Sequence, residues 1–407
     1  MNVIFLTLSS IDNIEERGIY HDLMRKFKDE GHQVYIVSPR ERRCGVETQL
    51  TESNGVKILN VRTLNIQKTN VVEKGIGTLL IERQFINAIK KYLDGVSFDL
   101  ITYSTPPITF TNVVKYLKKR NPHAISYLQL KDIFPQNAVD LGLFGKRSLF
   151  NWFFRKKEKA LYRASDFIGC MSPANVDYLL EHNPEIDASK VEVAPNSIEL
   201  QMELSSSDEK YKNQTERDYI RDKYHLPKDK PILIYGGNLG KPQGISYLIE
   251  CLSENKDRDD CCFVVVGTGT EFVRIMLWYE KQKPRNVFVM KGLPKDDYDM
   301  LVRSCDIGLI FLDYRFTIPN YPSRLLSYLE SKMPVICATD VSTDIGKIAE
   351  ENGYGYWCES VKPEDFTALV DKMMTSDRVT MGKKGYEFLK NNYLVEHTYN
   401  AIKKHLK

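Results

Sequence analysis

The segment Ile232–Gly244, ILIYGGNLGKPQG, runs an apolar stretch directly into a glycine-rich turn. Glycines let a backbone approach a ligand closely, and a helix that follows such a turn offers unpaired N–H groups to an anion. Gly237, Asn238 and Gly240 make up the turn and Lys241 adds a cation beside it, a combination suited to holding phosphate. A tight turn with no ligand reads from the same residues. A second segment, Asn320–Ser327 (NYPSRLLS), opens a helix pattern after the apolar run Ile307–Phe311. Pro322 fits a first helical turn there, and Ser323 can cap it or offer its hydroxyl. The helix dipole would favour an anion at that point by about 0.3–1 kcal/mol; an ordinary helix start fits equally well. Gly267 in Val266–Gly269, and Gly292 with Leu293 after Val287–Met290, mark two further strand ends. The four together would line one edge of one sheet.

The N-terminal half has its own set. Arg17 and Gly18 follow the first apolar run, Ser104 and Thr105 close another, and Lys131-Asp132-Ile133-Phe134-Pro135 close a third. Asp132 is the candidate catalytic carboxylate, since a polar residue at a strand end can reach a ligand; capping the Pro135 loop is its other reading. Asp297-Tyr298-Asp299 has the spacing of a metal-binding pair, but it lies in a helix pattern, where residues two apart do not share a face. The expected metal ligands are therefore none. The eight cysteines are scattered without a CxxC pair, which suits free thiols in a reducing compartment.

These residues need elements to place them. Short apolar runs at Val3–Leu8, Val34–Val37, Phe98–Tyr103, Ile125–Leu130, Phe167–Met171 and Val191–Val193 alternate with helix patterns. A second series runs through Ile232–Tyr235, Cys262–Val266, Val287–Met290, Ile307–Phe311 and Val335–Cys337, with a helical tail from about Asp377. Alternation of this kind implies α/β architecture with parallel sheets covered by helices, and ligands of such sheets bind at the carboxyl ends of the strands. The polar stretch Ser205–Arg217 reads as a linker. The expected domains are 1–204, 218–385 and a C-terminal helix, 386–407, returning to the first domain. At 407 residues two domains are the natural count. A net charge of +3, from 57 Lys+Arg against 54 Asp+Glu, argues against a dedicated nucleic-acid binder. No apolar stretch is long enough to span a bilayer, and the N-terminus lacks the basic start of a signal peptide.

One segment suggests a membrane surface. At 100° per residue, Phe150, Phe153, Phe154 and Leu161 share one side of a helix and are expected to pack on the sheet. Trp152, Arg155, Lys156 and Lys159 cluster on the other, the composition of an interfacial anchor. A solvated basic face with a stray tryptophan is the plainer reading.

The combined pattern resembles the retaining GT-B glycosyltransferases of family four, in their bacterial capsule and O-antigen branch. That branch has a strand–GN-x-G–QG turn, matched by Gly237-Asn238-Leu239-Gly240 and Gln243-Gly244. Its PSK-LL-Y motif before a KPVI strand is matched by Pro322-Ser323-Arg324-Leu325-Leu326-Ser327-Tyr328 and Met333-Pro334-Val335-Ile336. Its DIWP-type motif is matched by Asp132-Ile133-Phe134-Pro135, and its PNG turn by Pro195-Asn196. The chain also departs from the pattern. Asn238 and Gln243 stand where relatives carry an Arg and a Lys for the diphosphate, and Pro319 and Ser327 stand where they carry a pair of glutamates. Lys241 and Glu330 are the residues placed to compensate.

The resemblance implies two Rossmann-like domains facing across a cleft, with a nucleotide diphosphate sugar, a UDP-sugar by expectation, as donor substrate and no cofactor. It implies donor binding by Gly237, Asn238, Gly240, Lys241, Gly267, Gly292, Leu293, Pro322, Ser323, Arg324, Leu325, Ser327 and Glu330. Acceptor binding falls to Arg17, Gly18, Ser104, Thr105 and Lys131, with Asp132 and Lys241 catalytic. The acceptor would be a polyprenyl-diphosphate-linked saccharide, met on the anionic inner face of the plasma membrane by a cytoplasmic, peripheral enzyme in bacterial surface polysaccharide synthesis. A non-hydrolysing UDP-sugar 2-epimerase, which also has two such halves, and a catalytically silent binding subunit of a polysaccharide assembly are the alternatives.

Overall fold

The computed structural model describes residues 1–66, 71–200 and 206–406. The chain divides into two compact units, Met1–Glu199 with Tyr393–Lys407, and Leu200–Asn392. Unit 1 contains β1 (Asn2–Leu6), α1 (Ile19–Asp29), β2 (Gln33–Glu41), β3 (Gln49–Ser53), β4 (Val56–Thr63), α2 (Val71–Tyr92) and β5 (Leu100–Ser104). It continues through α3 (Thr111–Arg120), β6 (Ile125–Leu130), α4 (Gln136–Asp140), α5 (Leu149–Ala164), β7 (Phe167–Cys170), α6 (Pro173–His182) and β8 (Val191–Val193). Among the described residues the sheet has eight strands in the order β3-β4-β2-β1-β5-β6-β7-β8. All neighbours are parallel except β3, which runs antiparallel to β4. The inner strands are apolar throughout because both faces are covered, as β1 shows with Val3, Ile4, Phe5 and Leu6 fully buried.

Unit 2 contains α7 (Ser206–Lys223), β9 (Ile232–Asn238), α8 (Ile245–Glu254), β10 (Cys262–Thr268), α9 (Phe272–Gln282), β11 (Val287–Lys291) and α10 (Lys295–Ser304). Then come β12 (Ile307–Phe311), α11 (Arg324–Glu330), β13 (Val335–Thr339), α12 (Ile345–Glu351), β14 (Gly355–Glu359), α13 (Pro363–Thr375) and α14 (Arg378–Asn392). Its sheet is parallel, in the order β11-β10-β9-β12-β13-β14. The order reverses beside β9, so the glycine turn at the end of β9 lies at the point where such sheets take their ligands.

The last helix, α15 (Val395–Lys403), packs in unit 1. Val395, Tyr399 and Ile402 join Phe5, Phe27, Ile36 and Ile58 in one core, and the Tyr399 and Phe27 rings meet edge to face at 4.9 Å. The chain re-enters through two backbone bonds, Ile198 N to Tyr393 O and Val395 N to Ile198 O, both 3.0 Å. The return therefore starts at Tyr393, and residues 386–392 complete α14 of unit 2.

The expected linker is a correction. Apart from Ser205, which lies outside the described residues, it is helical as part of α7. The sequence hides this because α7 anchors itself by a polar group. Arg221 is fully buried, donating to the carbonyls of Ser304, Pro227 and Lys230 and to Asp306.

Candidate active site

At the carboxyl edge of the unit 2 sheet, Gly237 has φ +124 and Gly244 φ +58, values that L side chains rarely adopt. Asn238 and Gln243, which replace the expected cations, are tied to each other. Asn238 Nδ2 donates to Gln243 Oε1 at 3.1 Å, and Gly240 N donates to the same oxygen at 3.2 Å. These two residues build the loop and bring no charge to it.

The charge arrives from α11. The Arg324 guanidinium lies over the Tyr235 ring, 4.4 Å from its centroid. A Cβ added to Gly237 would meet Arg324 Nη2 at 3.5 Å, so the guanidinium stands against the glycine turn. Tyr235 fixes this plate by donating its hydroxyl to Asn238 O at 2.8 Å. Arg324 Nη1 is buried and has no hydrogen-bond partner. Leaving a buried charged donor unmade is expensive, and this one lies where an anion would complete it. Lys241 is exposed on the same turn.

Other expected donor residues fall out differently. Gly267 is buried, and a Cβ there would lie 1.9 Å from Gly237 O; strand packing demands this glycine. Gly292 is exposed and Leu293 half-buried in the loop after β11. The helix begins at Arg324, so Pro322 precedes its first turn. Ser323 is a correction as a cap: it has helical dihedrals and makes no side-chain cap bond. Leu325 is buried. Ser327 and Glu330 lie further along α11, Glu330 about 9 Å of helix rise beyond Arg324. In the Asp297–Asp299 segment, Asp297 is taken by Lys223 and by the Tyr224 hydroxyl.

At the carboxyl edge of the unit 1 sheet, Ser104 and Thr105 are buried. Thr105 Oγ1 accepts from Lys131 N at 2.9 Å and Asp132 N at 3.1 Å, binding the ends of β5 and β6 together. Burial pushes the Asp132 carboxyl up to about 6, opposed by hydrogen bonds from the Asn137 side chain and the Ile133 backbone. Asn137 Nδ2 reaches Oδ1 at 2.8 Å. Tyr20, which sequence reasoning missed, joins this group. Burial raises its hydroxyl, a hydrogen bond shared with Ser104 lowers it, and the Asp132 charge raises it again. Lys131 turns elsewhere: its ammonium donates to Ala194 O at 3.2 Å, and burial pulls it down to about 7. Arg17 Nη2 reaches Glu199 O at 3.4 Å, and Gly18 N donates to buried Asp22.

Residues 19–202 match the family Glycosyltransferase Family 4, and residues 216–388 match Glycosyl transferases group 1. Each half of the chain thus matches a glycosyltransferase family model, and the fold is GT-B. The probable glycosyltransferase WbjE of Pseudomonas aeruginosa is 20% identical over 65% of this chain and 64% of its own length. The putative colanic acid biosynthesis glycosyl transferase WcaI of Escherichia coli is 28% identical over 38% of this chain and 37% of its own. This chain thus spans under two thirds of the curated relatives it matches. Among solved structures, Anabaena Alr3699/HepE in complex with UDP-glucose superposes with a TM-score of 0.69 at 12% identity, over 100% of this chain and 99% of that one.

The α5 segment corrects two expectations. Phe150 is not packed on the sheet but 68% exposed; Phe154 takes the inner position, 5.0 Å from Phe134, and Leu161 is fully buried. Arg155 does not point outward as a free cation. It pairs with buried Glu158 and donates to His182 O and Asn183 Oδ1 at 2.8 Å, because a buried carboxylate requires a counter-charge. Lys159 reaches Glu185 at 2.9 Å. Trp152 and Lys156 are exposed as expected. Among the described residues no helix is long and apolar enough to cross a membrane.

Proposed function

We propose that the chain transfers a sugar, with retention, from a UDP-sugar to a polyprenyl-diphosphate-linked saccharide in bacterial surface polysaccharide synthesis. The observation that carries the reading is the unpartnered Arg324 Nη1 at the glycine turn of β9. It supplies fixed positive charge where a diphosphate would sit, replacing the cations that Asn238 and Gln243 lack. The UDP-glucose bound to Alr3699/HepE supports the donor class, and the name of WcaI supports the pathway class.

The chemistry follows from these groups. The bond between the anomeric carbon and the diphosphate oxygen breaks, and a bond from the acceptor oxygen to that carbon forms. The proton of the acceptor hydroxyl passes to the departing phosphate. Arg324, with Lys241 and the turn's backbone N–H groups, stabilises the charge that develops on that leaving group, without any metal ion. Asp132 orients the acceptor hydroxyl by accepting its hydrogen bond, and Tyr20 and Ser104 complete that pocket. The transferred sugar is of the hexosyl or N-acetylhexosaminyl type. The enzyme would work on the inner face of the plasma membrane, through α5.

The test is a melting-shift screen of UDP-, GDP- and dTDP-sugars with excess EDTA present, because a ligand that binds only the folded state raises stability. A UDP-sugar should raise the melting temperature, and slow release of UDP should follow without acceptor. A donor effect that requires Mg²⁺ or Mn²⁺ refutes the metal-free reading. Binding without any UDP release favours the silent subunit, which the missing glutamates at Pro319 and Ser327 keep in view.

A further inference from the structure

On α5 the positions Leu149, Trp152, Lys156, Lys159 and Arg163 follow the spacing three, four, three, four, so they form one stripe along the helix. The stripe changes character along its length of about 21 Å. At its start, Leu149 is 85% exposed and Trp152 64% exposed; flanking them are Phe150 at 68% and Leu143 at 59%. Four large apolar side chains between positions 143 and 152 are thus exposed, a concentration that solvent alone does not explain. Beyond this tip the stripe is cationic.

Beside the tip lies a recess of about 500 Å³ lined by Lys146, Arg147, Ser148, Asn151, Trp152, Arg155, Lys156, Lys159 and Arg163. It is lined by six cations and no carboxylate. Arg155 and Lys159 are committed to Glu158 and Glu185. Among the described residues Lys146, Arg147, Lys156 and Arg163 have no carboxylate partner, and Lys156 Nζ lies 5.5 Å from the centre of the Trp152 ring. The end of α5 is not the source of this site, since Ser148 already caps it by accepting from Asn151 N.

We propose that this region is a two-part docking site for an anionic bilayer: Leu143, Leu149, Phe150 and Trp152 enter the acyl boundary, and the recess behind them binds a lipid phosphate. This rests on the membrane reading above and specifies its mode. The apolar tip selects the occupant. A polyanion such as RNA would use the cations and an aromatic ring but leaves two exposed leucines without purpose, whereas a bilayer offers hydrocarbon and phosphate a few ångströms apart. The cations then sit at phosphate depth while the tip goes deeper. Phe150, which faces outward, contributes to the tip.

Sedimentation with vesicles of equal parts phosphatidylglycerol and phosphatidylcholine tests this, with brominated lipids as a depth probe. The wild type should sediment, and its fluorescence should be quenched by bromolipid in a Trp152-dependent manner. Leu149→Ser/Phe150→Ser should abolish the quenching and leave a weak, salt-sensitive residue of binding. Its melting temperature and its transfer to a water-soluble acceptor should be unchanged, because both side chains lie outside the core. Lys156→Gln/Arg163→Gln should weaken binding about fivefold per charge removed, with the residue of binding less sensitive to salt than that of the wild type. Sedimentation of the wild type without Trp152 quenching, or of the Ser variant as wild type, overturns this site while leaving membrane attachment standing. No sedimentation on any vesicle overturns both, and retention of single-stranded RNA in place of vesicles does the same. Transfer to the soluble acceptor reports separately on the enzymatic reading.

Discussion

The two sheet edges hold their functional groups by opposite electrostatic means. In unit 2, Arg324 is permanently charged, stacked on Tyr235 and left with an empty donor. In unit 1, burial moves Asp132 up to about 6 and Lys131 down to about 7, so both charges are held near their tipping points. The difference suits the proposed division of labour. A diphosphate is charged throughout, and a fixed guanidinium serves it at any physiological pH. An acceptor hydroxyl needs a hydrogen-bond acceptor whose strength depends on its protonation state.

The sharpest way to break this comparison is at Arg324. Arg324→Ala should lower turnover by roughly 10²–10³, as loss of a preorganised charge at a leaving group does, and should abolish the donor-induced melting shift. Arg324→Lys should recover only part of it, because an ammonium lacks the planar fork that stacks on Tyr235. Unchanged donor binding in the Ala variant would remove the carrying observation.

Asp132→Asn comes next. The amide keeps an oxygen facing Asn137 but cannot accept the acceptor hydroxyl with a full charge. Turnover should fall roughly tenfold to a hundredfold, with the donor melting shift intact. In the wild type, activity should fall as pH drops through about 6, where the carboxylate protonates; the Asn variant should lose that limb. An effect on donor binding equal to that of Arg324→Ala would collapse the distinction between the two edges.

Lys241→Ala should cost less, about tenfold in donor affinity at unchanged melting temperature, because an exposed cation is screened by solvent. If Lys241 proves the larger contributor, the buried guanidinium is structural.

How much of this the sequence discloses depends on distance along the chain. The β9 strand and its glycine turn are local, and Ile232–Gly244 displays both. The β3–β4 hairpin is also local. Its Asn54-Gly55 turn, with φ 45 and 78, carries the strongest short hairpin signal, yet the flanking strands are too polar to stand out beside the buried runs. β14 is missed for the same reason: Gly355–Glu359 is only partly apolar. The cation at the β9 edge is not local at all. Arg324 and Gly237 lie far apart in sequence, and only the packing of α11 on β9 and β12 brings them together. Tyr328 shows how tight that packing is, since its hydroxyl accepts from Gly236 N and donates to Ile234 O at 3.2 Å. Tyr20 is hidden likewise, because its meeting with Ser104 and Asp132 joins a helix to two distant strand ends.

The smallest expected effect is on stability, and its pH dependence separates the two neighbours at the unit 1 edge. Asp132 has a folded value of about 6, above its ordinary 3.8. Between those values the folded state binds more protons than the unfolded one, so stability falls as pH rises across that window. Lys131 has a folded value of about 7, below its ordinary 10.5. Between those values the folded state binds fewer protons, so stability rises with pH across that window. At pH 7–8 both groups therefore cost stability. Asp132→Asn should raise the melting temperature by a few degrees at pH 8 and by much less at pH 5. Lys131→Met should do the reverse, raising it most near pH 6 and least near pH 9, with its lost bond to Ala194 O subtracting a constant amount. Melting curves of the two variants from pH 5 to 9 should thus diverge with opposite slopes. Parallel curves would mean that neither group is shifted by burial, and the contrast between a tunable edge and a fixed one would reduce to a difference in residue type.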